Sequence, residues 1–195
     1  MIKLNASSQL LSQVPQEFRN RVYYHETHTN AHVAALLTRQ AIYGVEQEPT
    51  LVTDVEYATI AQNLWISNNQ LLAEDFWKRA IRASPNEYFK SLNIRGYADF
   101  LFQVERQELG RKHYQQALDL LDNDTDFNKY SNAYTHQLWM SSEASNGFNE
   151  KADIHYGYAK QLFESVSHPR RKQEGLTGLE QLKANIGGVP NRGDI

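Results

Sequence analysis

The chain has 195 residues, of which 41% are hydrophobic and 11% aromatic, and it carries a formal net charge of −3 at pH 7. These values are typical of a globular chain that can bury a core, and they argue against a disordered or membrane-embedded protein. The slight negative charge gives no broad attraction for nucleic acid, and the absence of cysteine excludes disulfides, thiolate metal sites and cysteine nucleophiles.

The N-terminal stretch, MIKLNASSQLLSQVPQEF, contains one lysine but no long apolar segment, so we do not expect a secretory signal peptide. No part of the chain approaches the ~20 consecutive apolar residues that a membrane-spanning helix requires. The sequence therefore predicts a protein with no membrane partner, and the cytoplasm is its expected location.

Long segments rich in Ala, Leu, Gln, Glu, Lys and Arg separate the five prolines, with apolar residues at helical spacing. The strict alternation that is typical of strands is missing. The sequence therefore predicts an all-α protein, with helices at residues 15–28, 30–44, 53–67, 70–83, 86–105, 107–122, 126–145, 148–165 and 169–185.

Three of these helices have recognisable start signals. Thr53, followed three residues later by Glu56, forms the pattern of a capping box. Thr125 or Asp126 can cap the helix that follows, and Ser167 before Pro169 repeats the combination of a cap and an N-terminal proline.

The sequence YYHETHTNAH raises the question of a metal site. It holds three histidines at spacings of three and four, namely His25, His28 and His32. On one unbroken helix these side chains would share a face, as metal ligands must. However, Thr29-Asn30 interrupts the helix, and the sequence HETH does not match the H-E-x-x-H pattern that would make Glu26 a catalytic base. We interpret the stretch as a helix end, a cap and a helix start, with a metal site or enzyme as the alternative.

Two other motifs partly resemble ligand sites. DNDTDFNKYSNA, at residues 122–133, begins with the aspartate spacing of a calcium loop, but Phe127 and Ala133 replace the glycine and glutamate that such a loop requires. HPRRKQ, at residues 168–173, is basic, yet three charges are ordinary on a solvated helix face. No nucleophile, phosphate-loop or dinucleotide motif is present in the sequence, so we assign no catalytic residue and expect no cofactor.

An internal repeat links the second helices of successive helix pairs. The stretches AALLTRQAI, AEDFWKRAI, GRKHYQQAL and KADIHYGYAK each place an alanine after bulky or polar residues, at Ala41, Ala80, Ala117 and Ala159. These alanines are 39, 37 and 42 residues apart. A period in this range predicts stacked helical hairpins that bury their apolar faces against one another.

The best repeat unit, YATIAQNLWISNNQLLAEDFWKRAIRASP, resembles the tetratricopeptide repeat family. The matching positions on its two helices are Tyr57, Ile60-Ala61, Leu64, Ala73, Trp77, Ala80 and Pro85. The next unit matches at Tyr97-Ala98, Leu101, Gly110, Tyr114 and Ala117. The resemblance covers residues 54–122, and it implies a right-handed α-solenoid of about four hairpins with a capping C-terminal helix. We therefore expect a single domain at residues 1–187 and a flexible tail at 188–195.

The resemblance also implies that the first helix of each hairpin lines a concave, partner-binding face. The residues expected there are Gln62, Trp65, Ile66, Arg95, Asp99, Phe102 and Gln137. Their aromatic rings and amides suit an extended peptide or a partner helix. The other interpretation is that Trp65 and Phe102 are core residues, because aromatic stripes on helices usually are. Lysines and asparagines of the family's carboxylate clamp are not reproduced by Ala58 and Gln62.

These observations predict a non-catalytic scaffold for a protein or peptide partner. Imperfectly capped end hairpins could also pair between copies of the chain and form a homo-oligomer. A ligand-sensing regulatory domain of a larger assembly is a further alternative.

Overall fold

The structure, a computed structural model, describes residues 42–47, 52–66 and 68–187. Within these ranges the chain forms eight helices and no strand, which confirms the predicted all-α class. The helices are α1 (residues 42–47), α2 (Asp54–Ile66), α3 (Gln70–Ala83), α4 (Glu87–Gln103), α5 (Gln107–Asp119), α6 (Asp126–Ser145), α7 (Asn149–Ser165) and α8 (Pro169–Gly187). The predicted helix at residues 15–28 and the histidines at 25, 28 and 32 lie outside the described residues.

The helix starts follow the local sequence closely. The amide of Thr53 donates to Glu56 (2.7 Å) and the amide of Glu56 donates to the Thr53 hydroxyl (3.4 Å), so the capping box is confirmed. Thr125 is the cap of α6, because its hydroxyl accepts from the amide of Asn128 at 3.1 Å.

The predicted start of α8 at residue 169 is confirmed, but the predicted cap, Ser167, lies one residue too early. His168, rather than Ser167, precedes the first helical residue, Pro169, and its Nδ1 accepts from the amide of Arg171 at 3.4 Å. The amides of Ser167 and His168 instead both donate to the carboxylate of Asp126, each at 2.9 Å. The carboxylate of Asp126 therefore satisfies the amides at this helix start, and these bonds lower its pKa.

Three helix ends share one backbone conformation. The residues with positive φ that follow α2, α4 and α6 are Asn68 (61°), Glu105 (61°) and Gly147 (82°). After each of them the next amide donates to a carbonyl five residues back, namely Asn69 to Leu64, Arg106 to Leu101 and Phe148 to Glu143, at 2.8, 2.8 and 2.9 Å. This is the hydrogen-bond pattern of the Schellman motif.

The spacing of these three turns reproduces the sequence repeat. The turns are 37 and 42 residues apart, as are Ala80, Ala117 and Ala159, and all three alanines are fully buried. The five extra residues of the longer interval therefore lie between the second turn and the third. The helix pairs α2–α3, α4–α5 and α6–α7 are thus built on one local plan.

A second repeated device holds the segments that lead into α4 and α6. Asn93 and Asn132 are 39 residues apart, and both are buried on the first helix of a pair. The amide group of Asn93 donates to the Ser84 hydroxyl at 2.9 Å, and that of Asn132 donates to the Leu121 carbonyl at 2.8 Å. Each asparagine thus connects its helix to the preceding loop by a hydrogen bond, and this bond also gives the buried amide group the partner that it needs.

The described residues divide into two compact units, with the boundary between Gly96 and Tyr97 inside α4. In the first unit, α2 packs on α3 around Ile60, Phe76 and Trp77, and a Cβ at Gly96 would lie only 2.6 Å from the Trp77 ring. The small residue is needed there because the indole occupies the space of a side chain.

In the second unit, α6, α7 and α8 pack around a core of Ala133, Met140, Ala152, Ala159, Phe163 and Leu179. A Cβ at Gly175 would collide with the Phe163 ring, so this glycine permits α8 to approach α7 closely. No helix in the described ranges is long and apolar enough to cross a membrane.

Candidate functional site

The residues predicted for a concave face differ in their exposure. In the first unit Gln62 and Ile66 are exposed, and Trp65 and Arg95 are half-buried. In the second unit Asp99 and Gln137 are half-buried. The amide nitrogen of Gln137 lies 3.9 Å from the place that a Cβ on Gly178 would take, so this residue lies where α6 meets α8.

Phe102 is only 1% exposed and contacts the Tyr114 ring with 5.9 Å between centroids. A Cβ at Gly110 would collide with it at 2.6 Å. These contacts agree with the alternative interpretation of Phe102 as a core residue, so it does not present a surface to a partner.

A cluster of polar and aromatic side chains surrounds Trp139 in the second unit. The indole is 7% exposed and lies between two rings. Tyr114 from α5 stacks on it with centroids 5.3 Å apart and planes 12° from parallel. His155 from α7 stacks at 3.9 Å and 22°. Trp139 therefore joins three helices through ring contacts, a geometry that favours aromatic attraction.

The Trp139 N–H leads into a buried ion pair. It donates to Glu143 at 2.9 Å, one turn further along α6, and the Glu143 side chain is fully buried. The guanidinium of Arg111 on α5 donates to both oxygens of the same carboxylate, at 2.8 and 2.7 Å. The Arg111 side chain is 14% exposed and also lies 4.6 Å over the Phe148 ring.

Charge in this pair is stabilised by the hydrogen bonds. Burial by itself would raise the pKa of Glu143, but the bonds from Arg111 and Trp139 outweigh it, and the pKa lies below its ordinary value. The hydrogen bond to Glu143 raises the pKa of Arg111. Both groups therefore stay charged at neutral pH, and the carboxylate has three good donors.

A second hydrogen-bonded chain connects α5, α6 and α4 inside the same unit. The Ser142 hydroxyl donates to Asp99 at 2.9 Å, so the Tyr114 hydroxyl, also at 2.9 Å, is the donor to Ser142. Burial raises the pKa of Asp99 despite the bonds from Ser142 and Gln103. Tyr114 therefore links the aromatic stack and this polar chain.

The edge of the cluster is a pair of histidines from two helices. Nδ1 of His136 on α6 lies 3.1 Å from Nδ1 of His155 on α7. Burial lowers the pKa of each imidazole to about 4, and for His136 the charge of His155 contributes further. Tyr158 lies beside His136 with 5.2 Å between ring centroids, and its side chain reaches the surface.

No group of three His, Cys, Asp or Glu residues in the described ranges could hold a metal ion. In the apparent calcium loop, the first aspartate forms hydrogen bonds to neighbouring residues of the chain. Asp122 accepts from the Asp124 amide (3.2 Å) and from Asn128 (3.0 Å), and these bonds lower its pKa. In the basic cluster Arg170 pairs with Glu174 at 2.8 Å.

Sequence reasoning missed this cluster because its members are distant in the chain. Arg111 and Glu143 are 32 residues apart, and His136 and His155 are 19 apart. The one local signal was Trp139 with Glu143 four residues later, which places both on one helix face. No family model matches the chain, and no curated protein or solved structure matches it either, so the resemblance to tetratricopeptide repeats depends on the residues quoted above.

Proposed function

We propose that this chain is a non-catalytic interaction scaffold that binds a peptide or a partner helix. The proposed architecture is a right-handed solenoid of about four tetratricopeptide-like hairpins, with α8 as the capping helix. Support comes from the repeated helix ends and from the repeated Asn93 and Asn132, which indicate successive copies of one hairpin plan. Stacked repeats offer a continuous surface made by their first helices.

The observation that carries the proposal is an apolar stripe on α6, the first helix of its pair. Phe127 and Tyr134 are 45% and 40% exposed, and Leu138 is half-buried. Spacings of seven and eleven residues put these side chains on one helix face. Ser141 and Ser145 extend the same face with hydroxyl groups. Large apolar anchors beside small polar groups are what an interface for a partner helix requires.

The proposed binding residues are accordingly narrower than those predicted from the sequence. Tyr134 and the neighbouring Gln137 are the best candidates in the second unit, whereas the buried Phe102 is not one. In the first unit Ile66 is 42% exposed and stands at the end of α2, also the first helix of a pair. Trp65 and Ile66 are therefore retained as candidates there.

The proposal is tested by selecting binding peptides from a random library and measuring their affinity by fluorescence anisotropy. We expect the double substitution F127A/Y134A to weaken binding by about tenfold or more, because each lost anchor costs more than ~1 kcal/mol. The control is I154A, which removes an apolar side chain that is 55% exposed on α7.

The outcome separates three cases. Loss of affinity in F127A/Y134A alone, with unchanged circular dichroism, supports binding on α6. Equal affinity in all variants contradicts the proposal, and so does a loss confined to the α7 control, because the surface would then lie on a second helix.

A further inference from the structure

The contact between His136 and His155 has the geometry of a hydrogen bond in the plane of both rings. The ring centroids are 5.3 Å apart, which exceeds the 3.1 Å between the Nδ1 atoms by about the width of one five-membered ring. The two nitrogens therefore lie close to the line that joins the centroids. The ring planes differ by only 23°, so an N–H on one ring points along the lone pair of the other.

Such a contact fixes the positions of the protons. A neutral imidazole has one donor nitrogen and one acceptor nitrogen. One histidine must therefore carry its proton on Nδ1 and the other on Nε2. One added proton can bind the free Nε2 of the donor ring and leave the hydrogen bond intact. When both rings are protonated, two Nδ1–H groups face each other, and the hydrogen bond between α6 and α7 is lost.

The groups around the pair offer little support for an added charge. Glu143 on α6 favours a charged His155, but Arg111 on α5, which is bonded to Glu143, opposes it. Trp139, Tyr114 and Tyr158 supply rings and hydroxyls rather than carboxylates. On α8 the charged groups pair elsewhere: Glu180 accepts from Tyr156 on α7 at 2.6 Å, and Lys183 pairs with Asp153. On α4, Asp99 is occupied by Ser142.

We propose that the His136–His155 pair is a proton-sensitive latch, which joins α6 to α7 at neutral pH and opens on acidification. The latch also helps to position His155, because the ring that takes part in it stacks on the Trp139 indole at 3.9 Å. The latch belongs to the hairpin itself, and it stands whether or not α6 binds a partner.

The direction of the pH effect follows from linkage. The pKa of both imidazoles is about 4 in the folded chain, against 6.5 for a free histidine. The unfolded chain therefore binds protons that the folded chain does not as the pH falls below 6.5. The contribution of the two neutral imidazoles to the free energy of unfolding is fully present above pH 6.5, and it decreases as the pH falls to about 4. Each proton taken up only on unfolding increases the unfolding equilibrium constant by up to about tenfold per pH unit.

The tautomers can be observed directly on the ¹⁵N-labelled full-length chain at pH 7. We expect one of the two histidines to be in the Nδ1–H form and the other in the Nε2–H form. We also expect a scalar ¹⁵N–¹⁵N coupling between the two Nδ1 atoms across their hydrogen bond. Two Nε2–H rings, or no such coupling, would overturn the proposal. This measurement needs no substitution, so it stays decisive even if variants fold poorly.

The pH dependence is tested by urea unfolding between pH 7.5 and 5 for the wild type and H136N/H155N. An asparagine side chain places an amide near the former Nδ1 and keeps the hydrogen bond without the titration. In the wild type the unfolding equilibrium constant should rise as the pH falls, by up to about tenfold per pH unit for each of the two histidines. We expect the variant to lack this rise. The control H168N replaces an exposed histidine of the same unit. A variant slope equal to that of the wild type, or the same change in H168N, would contradict the latch.

Discussion

The first unit and the second unit each bury a tryptophan, but the two indole N–H groups differ in their hydrogen bonding. Trp77 in α3 and Trp139 in α6 are both 7% exposed. Nε1 of Trp77 has no hydrogen-bond partner among the described residues, whereas Nε1 of Trp139 donates to Glu143 at 2.9 Å. The Trp77 ring fits against Gly96, and the Trp139 ring lies between Tyr114 and His155.

The difference shows two ways to specify a helix contact. Around Trp77 the fit depends on shape, and the unpaired N–H costs about 1–3 kcal/mol that burial of the ring must offset. Around Trp139 the fit depends on donors and acceptors at fixed positions, which tolerate fewer alternative arrangements. Such a network gains its energy only when every member is present, because each charge has been removed from water.

The largest effect is expected from breaking the ion pair of the second unit. Glu143→Leu removes the buried carboxylate from Arg111, which keeps only the exposed Glu108 as an anionic partner, and it leaves the Trp139 N–H unpaired, as the N–H of Trp77 already is. We expect a loss of about 3–5 kcal/mol in the free energy of unfolding, measured by urea denaturation and circular dichroism.

The double substitution R111M/E143L is the matched control. It removes both charges and fills the space with apolar groups but leaves the Trp139 N–H unpaired, so its stability should return to within about 1–3 kcal/mol of the wild type. If the single and double variants were equally unstable, the network would matter through packing rather than through charge.

The second effect compares the two tryptophans directly. Trp139→Phe and Trp77→Phe remove the same ring atoms, but only the first removes a hydrogen bond to a charged group. We expect Trp139→Phe to cost about 1.5–3 kcal/mol more than Trp77→Phe in the free energy of unfolding, measured in the same way. Equal losses would mean that the indole N–H contributes nothing in either unit.

The third effect concerns glycine packing, which both units share. Gly96→Ala and Gly175→Ala each force a methyl group into an aromatic ring, Trp77 in one case and Phe163 in the other. We expect each to lower the unfolding free energy by about 1–3 kcal/mol, by overpacking. Gly157→Ala on α7 is the control, because nothing lies within 4 Å of its added Cβ.

That control should move in the opposite direction. An alanine within an exposed helix turn stabilises by about 0.5–1 kcal/mol relative to glycine, chiefly by restricting the unfolded chain. A loss at Gly157 similar to that at Gly175 would show that the collision with Phe163 is not the cause of the loss at Gly175.

Much of the local structure could be predicted because its causes lie within a few residues. The capping box at Thr53 and the cap at Thr125 are short patterns, and the buried Ala80, Ala117 and Ala159 repeat at a regular interval. The all-α class follows from the helical spacing of apolar residues. These features depend on chain neighbours, which the sequence displays directly.

The site could not be predicted in the same way. A helical aromatic residue such as Phe102 shows the same sequence pattern in a groove and in the core. Only its contacts with Tyr114 and Gly110 show that it is a core residue. The His136–His155 bond depends on the register of two antiparallel helices, which a repeat of uneven length leaves open. The predicted single domain at residues 1–187 and the partner stay predictions.

The smallest effect tests the repeated helix ends. Glu105 is in the left-handed region with φ of 61°, where a Cβ costs about 1 kcal/mol or more, while Gly147 holds the equivalent position at no such cost. We expect Glu105→Gly to raise the unfolding free energy by about 1 kcal/mol. Asn68→Gly, in the first unit, should change it less, because asparagine tolerates this conformation. Equal gains in unfolding free energy at both positions would imply that the turn after α4 is no more strained than the turn after α2. The preference of asparagine for left-handed backbone would then have no part in the difference between the units.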